Sequence, residues 1–193
     1  MLETTETVKN TYFELGKFLT KMDDAGLLLV MMLSSKTIAD TVEVIRVFEF
    51  LHRYGFSHTE TGIRKMLTLV YSKDQAVVKA VIECYHSLYF SMDVSVQDKV
   101  RHLFGMMRNA TLTDITCIEE LLGKLIKENV FERPVFNSLW HAYLNYGRNV
   151  DQRSEELSPD ERRRLTQERK QEQRSAIHLL RMMGSCQVDI LLD

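Results

Sequence analysis

The chain has 193 residues, room for one ordinary domain with a real core and little more. Hydrophobic residues make up 45% and charged residues 27%, which excludes a disordered polyelectrolyte, and 8 glycines and 2 prolines are too few for the many turns of an all-β fold. The formal net charge of -2 supplies no overall basic field, so any contact with nucleic acid has to come from a local patch.

Glu3 and Glu6 occupy the place where a secretory signal would be basic, and no signal peptide is expected. Residues 5–20 predict an opening helix with Val8, Tyr12, Phe13 and Leu15 partly in register. Asp23 or Asp24 is the expected cap of a separate second helix that runs to Ser34. Its run LLLVMML, residues 27–33, is far short of the roughly 20 residues of a membrane span and reads as a buried helix. Ile38, Val42, Ile45, Phe48, Leu51 and Tyr54 give the next amphipathic helix, closed by Gly55.

Ile63, Met66, Leu67 and Val70 stand at i, i+3, i+4 and i+7 of a helix over 60–71. Ser72, Lys73 and Asp74 break it, and Asp74 caps a helix over 75–90. That helix carries Val77, Val78, Val81, Ile82, Tyr85, Leu88 and Tyr89, a stripe too wide for one neighbour, so it has to be covered on two sides. Val96, Val100, Leu103, Phe104 and Met107 predict a further helix stopping at Asn109. Its partner carries Ile115, Ile118, Leu121, Leu122, Leu125 and Ile126 and starts near Thr113 or Asp114. Pro134 suits a helical first turn, Phe136, Leu139, Trp140 and Tyr143 line that helix, and Gly147 ends it. Helix pairs repeating about every 40 residues match the HEAT or armadillo period better than shorter repeats. The expectation is an all-α fold, a right-handed HEAT-type α-solenoid of antiparallel helix pairs over residues 1–147.

Residues 148–174 change character to a charged linker, 148–157, and a solvated helix, 159–174. Ser158, Pro159 and Glu161 make its start: an N-cap, a proline at N1 and a capping-box glutamate at N3. From Thr166 to Ser175 no residue is expected to face a core. The arginines Arg162, Arg163 and Arg164 tempt one to read a nucleic-acid arm, but Asp160, Glu161, Glu168 and Glu172 offset them, and a solvated helix is the plainer reading. Ser158-Pro159 also fits a proline-directed kinase, a signal too short to carry weight. Residues 175–193 begin a further repeat with Ala176, Ile177, Leu180 and Met183, and the chain then reads as a fragment, or a truncated gene model, of a longer solenoid.

The sequence holds no Gly-rich phosphate loop, nucleophile elbow or metalloprotease motif, so no enzyme, cofactor, catalytic residue or metal site is expected. Cys84 and His86, two apart, point to different faces of a helix. The three cysteines, Cys84, Cys117 and Cys186, each lie in a helical apolar pattern and are expected to be buried free thiols in a reducing compartment. Tyr85 and Tyr89 continue the apolar stripe and read as core rather than as a stacking platform. Arg64, Lys65, Lys73 and Lys79 cluster about one inter-helix turn, with Arg101 and Arg108 on the following repeat. On neighbouring repeats such residues could form a ridge that tracks phosphates without reading bases. Glu60, Asp74, Glu83, Asp93 and Asp98 interleave with them, so ordinary solvated positions are the plainer reading of the residues alone.

The segment GIRKMLTLVYSKDQAVVKAVIECYHSLYF, residues 62–90, resembles condensin complex subunit 1, the HEAT-repeat, non-SMC subunit family of condensin. TIADTVEVIRVFEFLHRYGF before it, and SLWHAYLN and QRSAIHLLRMM after it, occur in that family's order, over roughly residues 24–146 and 172–193. The family usually has Trp at Tyr71, a change that leaves an aromatic at the helix end. The resemblance implies a non-catalytic subunit that supports mitotic chromosome condensation, binds the kleisin and SMC partners and contacts DNA through its backbone. It raises the phosphate reading of the six basic residues. It also implies a nuclear and chromosomal location, cytoplasmic outside mitosis, with no membrane or small-molecule substrate. Two alternatives stay open: the corresponding HEAT subunit of the second condensin complex, and a generic HEAT adaptor that binds only proteins.

Overall fold

The computed structural model describes residues 2–56, 59–144 and 158–186, without the side chains of 2–6 and 159. Every regular element among them is helical: α1 (Leu2–Met32), α2 (Ile38–Arg53), α3 (Thr59–Met66), α4 (Gln75–Tyr85), α5 (Val96–Met107), α6 (Leu112–Lys127), α7 (Arg133–Leu144) and α8 (Pro159–Cys186). The 3-10 turn Leu67–Tyr71 continues α3, and the π turn His86–Phe90 continues α4. The fold is all-α and of helical-repeat type, as the sequence periodicity predicts. It divides into two compact units, Met1–Cys84 and Tyr85–Asp193. The expected helix end at Gly147, the expected linker 148–157 and the apolar residues 188–193 lie outside the described residues.

In the first unit α1 packs on α2 and α3, and α2 packs on α3. The expected break at Asp23 or Asp24 is absent: α1 runs unbroken through both. Nothing in this stretch blocks a helix, since it lacks proline, and one seam of side chains serves its whole length. Val8, Tyr12, Leu15 and Leu19 continue into Met22, Gly26, Leu29 and Leu33 with alternating spacings of four and three. Only the C-terminal end of this seam reaches its neighbours. Leu33 is buried, while Tyr12 and Phe13 are 71% and 63% exposed. The run 27–33 is likewise less buried than expected, because one side alone faces α2 and α3: Leu27, Leu28 and Met31 all stay exposed.

Helix α2 buries Thr41, Val44, Ile45, Phe48 and Leu51. Ile38 and Tyr54, expected on this face, lie at the two ends and stay exposed. Gly55, at φ +72°, ends the helix. Its N–H donates to the His52 carbonyl at 3.1 Å and that of Phe56 to the Leu51 carbonyl at 3.3 Å, the paired bonds of a Schellman stop. Gly62 is required by packing. A Cβ there would sit 2.2 Å from the Phe48 ring, which is fully buried, so α2 and α3 touch through a glycine. The predicted face Ile63, Met66, Leu67 and Val70 is buried throughout. Asp74 caps α4 by accepting from the Ala76 N–H at 2.8 Å, and Val77, Val78, Ala80, Val81, Ile82, Cys84 and Tyr85 are buried, which leaves Lys79 and Glu83 facing out.

In the second unit α5 packs on α7 and α8, α6 on α8, and α7 on α8. Packing between next-but-one helices, α5 with α7 and α6 with α8, is what successive stacked helix pairs produce. Helix α6 starts one or two residues before the expected Thr113 or Asp114, because Thr111 is the better cap. Its hydroxyl accepts from the Asp114 N–H at 3.2 Å while the Asp114 carboxylate accepts from the Thr111 N–H at 2.9 Å. Asn129, at φ 55°, closes α6 as Gly55 closes α2, with the Val130 N–H donating to the Leu125 carbonyl at 3.2 Å. The core is built from Leu121, Leu122 and Leu125 of α6, Val135 and Leu139 of α7, and Leu179, Met182 and Met183 of α8. Trp140 and Ile177, expected to face inward, are 49% and 47% exposed; each sits one position off the buried stripe of its helix.

Candidate nucleic-acid interface

Burial of Ile63 and Met66, with Leu67 and Val70 beyond them, leaves Glu60, Thr61 and Arg64 of α3 facing outward. Arg64 is exposed on the last turn of α3, Lys73 is exposed in the turn before α4, and Lys79 is exposed on α4. Lys65 is used otherwise. It is half-buried and its Nζ donates to the Val30 carbonyl of α1 at 2.9 Å, which ties α3 to α1. Lys79 lies 3.6 Å from Glu83 one turn along, a loose pair that leaves its ammonium accessible. In the first unit Arg64, Lys73 and Lys79 are thus exposed, and Lys65 is committed to packing.

The other two candidates lie in the second unit. Arg101, on α5, pairs with Asp98 of the same helix. That carboxylate is held below the usual range by a hydrogen bond from the Ser95 hydroxyl at 2.7 Å and, after it, by the Arg101 charge. Ser95 is the α5 N-cap, accepting from the Asp98 N–H at 3.2 Å, so Arg101 completes a capping network. Arg108 follows the last turn of α5, where Asn109 at φ 56° turns the chain. It lines a groove of about 380 Å³ between the end of α5 and the polar half of α8, and Arg164 of α8 lines the same groove.

Sequence reasoning misses Arg164 as a partner of Arg108, because Arg164 sits in a charged run that reads as a solvated face. That reading holds for residues 160–168, all exposed, and fails further on. Ser175 is 7% exposed, and Gln173 donates from Nε2 to the Tyr143 carbonyl at 3.2 Å. A polar residue packs inside when it is small or when its amide finds an acceptor, and no hydrophobic periodicity announces it.

The thiols and rings are structural. Cys84 is buried, and desolvation followed by the Glu49 charge pushes its pKa up to about 12. Cys117 is also buried, and desolvation raises its pKa. Cys186 corrects the expectation: it is exposed, at the end of α8. Tyr85 is 2% exposed and packs as core, with the half-buried Tyr89 ring 5.9 Å from it. Among the described residues no three His, Cys, Asp or Glu side chains group as metal ligands, and no helix is long and apolar enough to cross a membrane.

No family model matches the chain. It is similar to condensin complex subunit 1 of Xenopus laevis, 28% identical over 65% of this chain and 10% of that protein. The same subunit of Schizosaccharomyces pombe is 23% identical over 70% of this chain and 13% of that protein. That of Saccharomyces cerevisiae is 27% identical over 68% and 12% respectively. The chain thus spans roughly a tenth of the length of the curated relatives it matches.

Proposed function

We propose, from the likeness of this helical-repeat chain to condensin complex subunit 1, that it is a non-catalytic structural segment of a condensin HEAT-repeat subunit. The observation that carries the reading is the match to that subunit in a vertebrate and two yeasts, over about two thirds of the chain each time. In this reading the chain supports mitotic chromosome condensation, binds kleisin and SMC subunits, and works in the nucleus and on chromosomes. Stacked helix pairs suit such a role, because they offer a long surface on which a disordered partner segment can be ordered.

DNA contact is the finer part of the reading. Arg64, Lys73 and Lys79 support it best, being exposed on the first unit, while Lys65 is half-buried against α1. Such a cluster would grip phosphates without reading sequence. The test is affinity purification of the tagged protein from mitotic cells, with identification of what co-purifies. Recovery of SMC subunits and a kleisin is the expected result, and the kleisin's identity assigns the condensin complex. Recovery of neither would overturn the assignment and leave a HEAT adaptor with another client.

A further inference from the structure

The N-terminal part of α1 carries an apolar seam that nothing in the first unit covers. Val8, Tyr12, Leu15 and Leu19 alternate at spacings of four and three and are all exposed. Further along, where α1 packs on α2 and α3, the same seam is closed and Gly26 and Leu33 are buried. With Phe18 beside it, the open stretch presents on the order of 500 Å² of apolar surface, an aromatic side chain alone offering roughly 150–250 Å². The polar groups around it are engaged within the helix. Glu14 and Lys17 pair at 2.9 Å, and the Lys17 ammonium lies 4.3 Å from the centroid of the Phe13 ring, off the seam. The Thr11 and Thr20 hydroxyls donate to the Thr7 and Gly16 carbonyls at 2.9 and 3.0 Å.

Spacings of four and three keep a seam facing one partner helix, whose side chains fill the holes between its own. We propose that this helix is α1 of a second copy, packed antiparallel over residues 8–19, so that the chain forms a homodimer. The seam is complementary to itself in that sense. Centred between Tyr12 and Leu15, the pair sets Val8 against Leu19 of the second copy and Tyr12 against its Leu15. On one flank Phe18 meets Thr11, whose hydroxyl is engaged and whose methyl group is left to pack. On the other the Lys9 stem crosses Gly16, where even an added Cβ meets nothing. Neither flank opposes like charges. The antiparallel sense follows from the fold, because α2 and α3 occupy the far end of the seam. Parallel copies bring those bodies together, and antiparallel copies keep them apart. The pair buries on the order of 1,000 Å², the lower limit of a specific interface, so a dissociation constant on the order of 10 μM is expected. The contact is independent of the condensin assignment: a purification without SMC or kleisin subunits would leave it standing.

The test is analytical ultracentrifugation of the full chain, from well below to well above that constant. A reversible shift from 22.6 kDa to twice that mass is expected. Tyr12→Glu with Leu19→Glu should hold the protein monomeric throughout, and both side chains are exposed, so circular dichroism should show the helices unchanged. Leu28→Glu, equally exposed on α1 but off the seam, should leave the dimer as it is. The register is read by disulfide formation in a Cys186→Ser background. A Lys9→Cys chain mixed with a Gly16→Cys chain should cross-link to it, and neither should cross-link to its own kind. This readout keeps the question open to test if the glutamate pair disturbs the fold. A chain that stays monomeric at every concentration would assign the seam to a different helix and overturn the proposal. A dimer that survives the glutamate pair, equal disruption by Leu28→Glu, open-ended aggregation, or cross-linking of like with like would also overturn it.

Discussion

At the residue scale, the positions that matter most are set by contact rather than by chemistry. Gly62 lies against the Phe48 ring, and that ring cannot retreat because it is fully buried. Gly62→Ala should therefore destabilise the protein by about 1–3 kcal/mol, despite the better helix propensity of alanine, as read from urea denaturation. The thiols separate in the same way. Cys186 is exposed, whereas Cys84 is buried with its pKa pushed up to about 12. A thiolate reagent at neutral pH should modify Cys186 in the native protein and spare Cys84 and Cys117 until it unfolds; mass spectrometry of the labelled peptides reads the outcome. All three cysteines lie in apolar sequence patterns. Exposure of the last one depends on which side of α8 has a neighbour.

At the element scale, the helix boundaries rest on short hydrogen-bonded signals, and most are legible in the sequence. The α8 start is the clearest. Glu161 accepts from the Ser158 N–H at 3.0 Å and from its hydroxyl at 2.7 Å, while the Glu161 N–H donates back to that hydroxyl at 3.3 Å. The Ser158 hydroxyl, and after it the Ser158 backbone, hold the Glu161 carboxyl below the usual range. A carboxyl lowered in the folded state stabilises above its unfolded pKa, and that contribution is lost as pH falls through the folded value. Ser158→Ala should bring the Glu161 titration, followed by NMR, up toward the ordinary glutamate value and fray the first turn of α8. At α6 the cap is Thr111, and Thr111→Ala should cost about 1 kcal/mol in urea denaturation. Sequence alone starts this helix one or two residues late, near Thr113 or Asp114, which are also acceptable starts. The choice among adjacent candidates depends on which one meets its reciprocal partner.

At the scale of the whole molecule, the first unit is held by a core rich in valine and isoleucine and the second by one rich in leucine and methionine, and any partner surface is what those cores leave outside. Leu121 is fully buried in the second unit, and Leu121→Ala should cost about 2–5 kcal/mol. If the exposed cluster grips DNA as proposed, combined Arg64→Glu, Lys73→Glu and Lys79→Glu should weaken duplex binding for all sequences alike. It should also flatten the salt dependence by about 0.9 in logarithmic slope for each phosphate that is no longer neutralised. Unchanged binding in that variant would remove the cluster from the interface.

The sequence by itself determined most of the helices, several of their caps and the all-α repeat class, because hydrophobic spacing and capping hydrogen bonds are encoded within a few residues. Ile63, Met66, Leu67 and Val70 are buried as their spacing requires. Only the tertiary structure decided which faces of those helices have neighbours. It supplied Lys65 with a carbonyl on α1, left Tyr12 and Phe13 in the open, and turned Ser175 inward. It also brought Arg108 to the same groove as Arg164. The physical reason is range. Periodicity says that a face is apolar, whereas burial and charge pairing depend on elements far along the chain that approach one another only after packing.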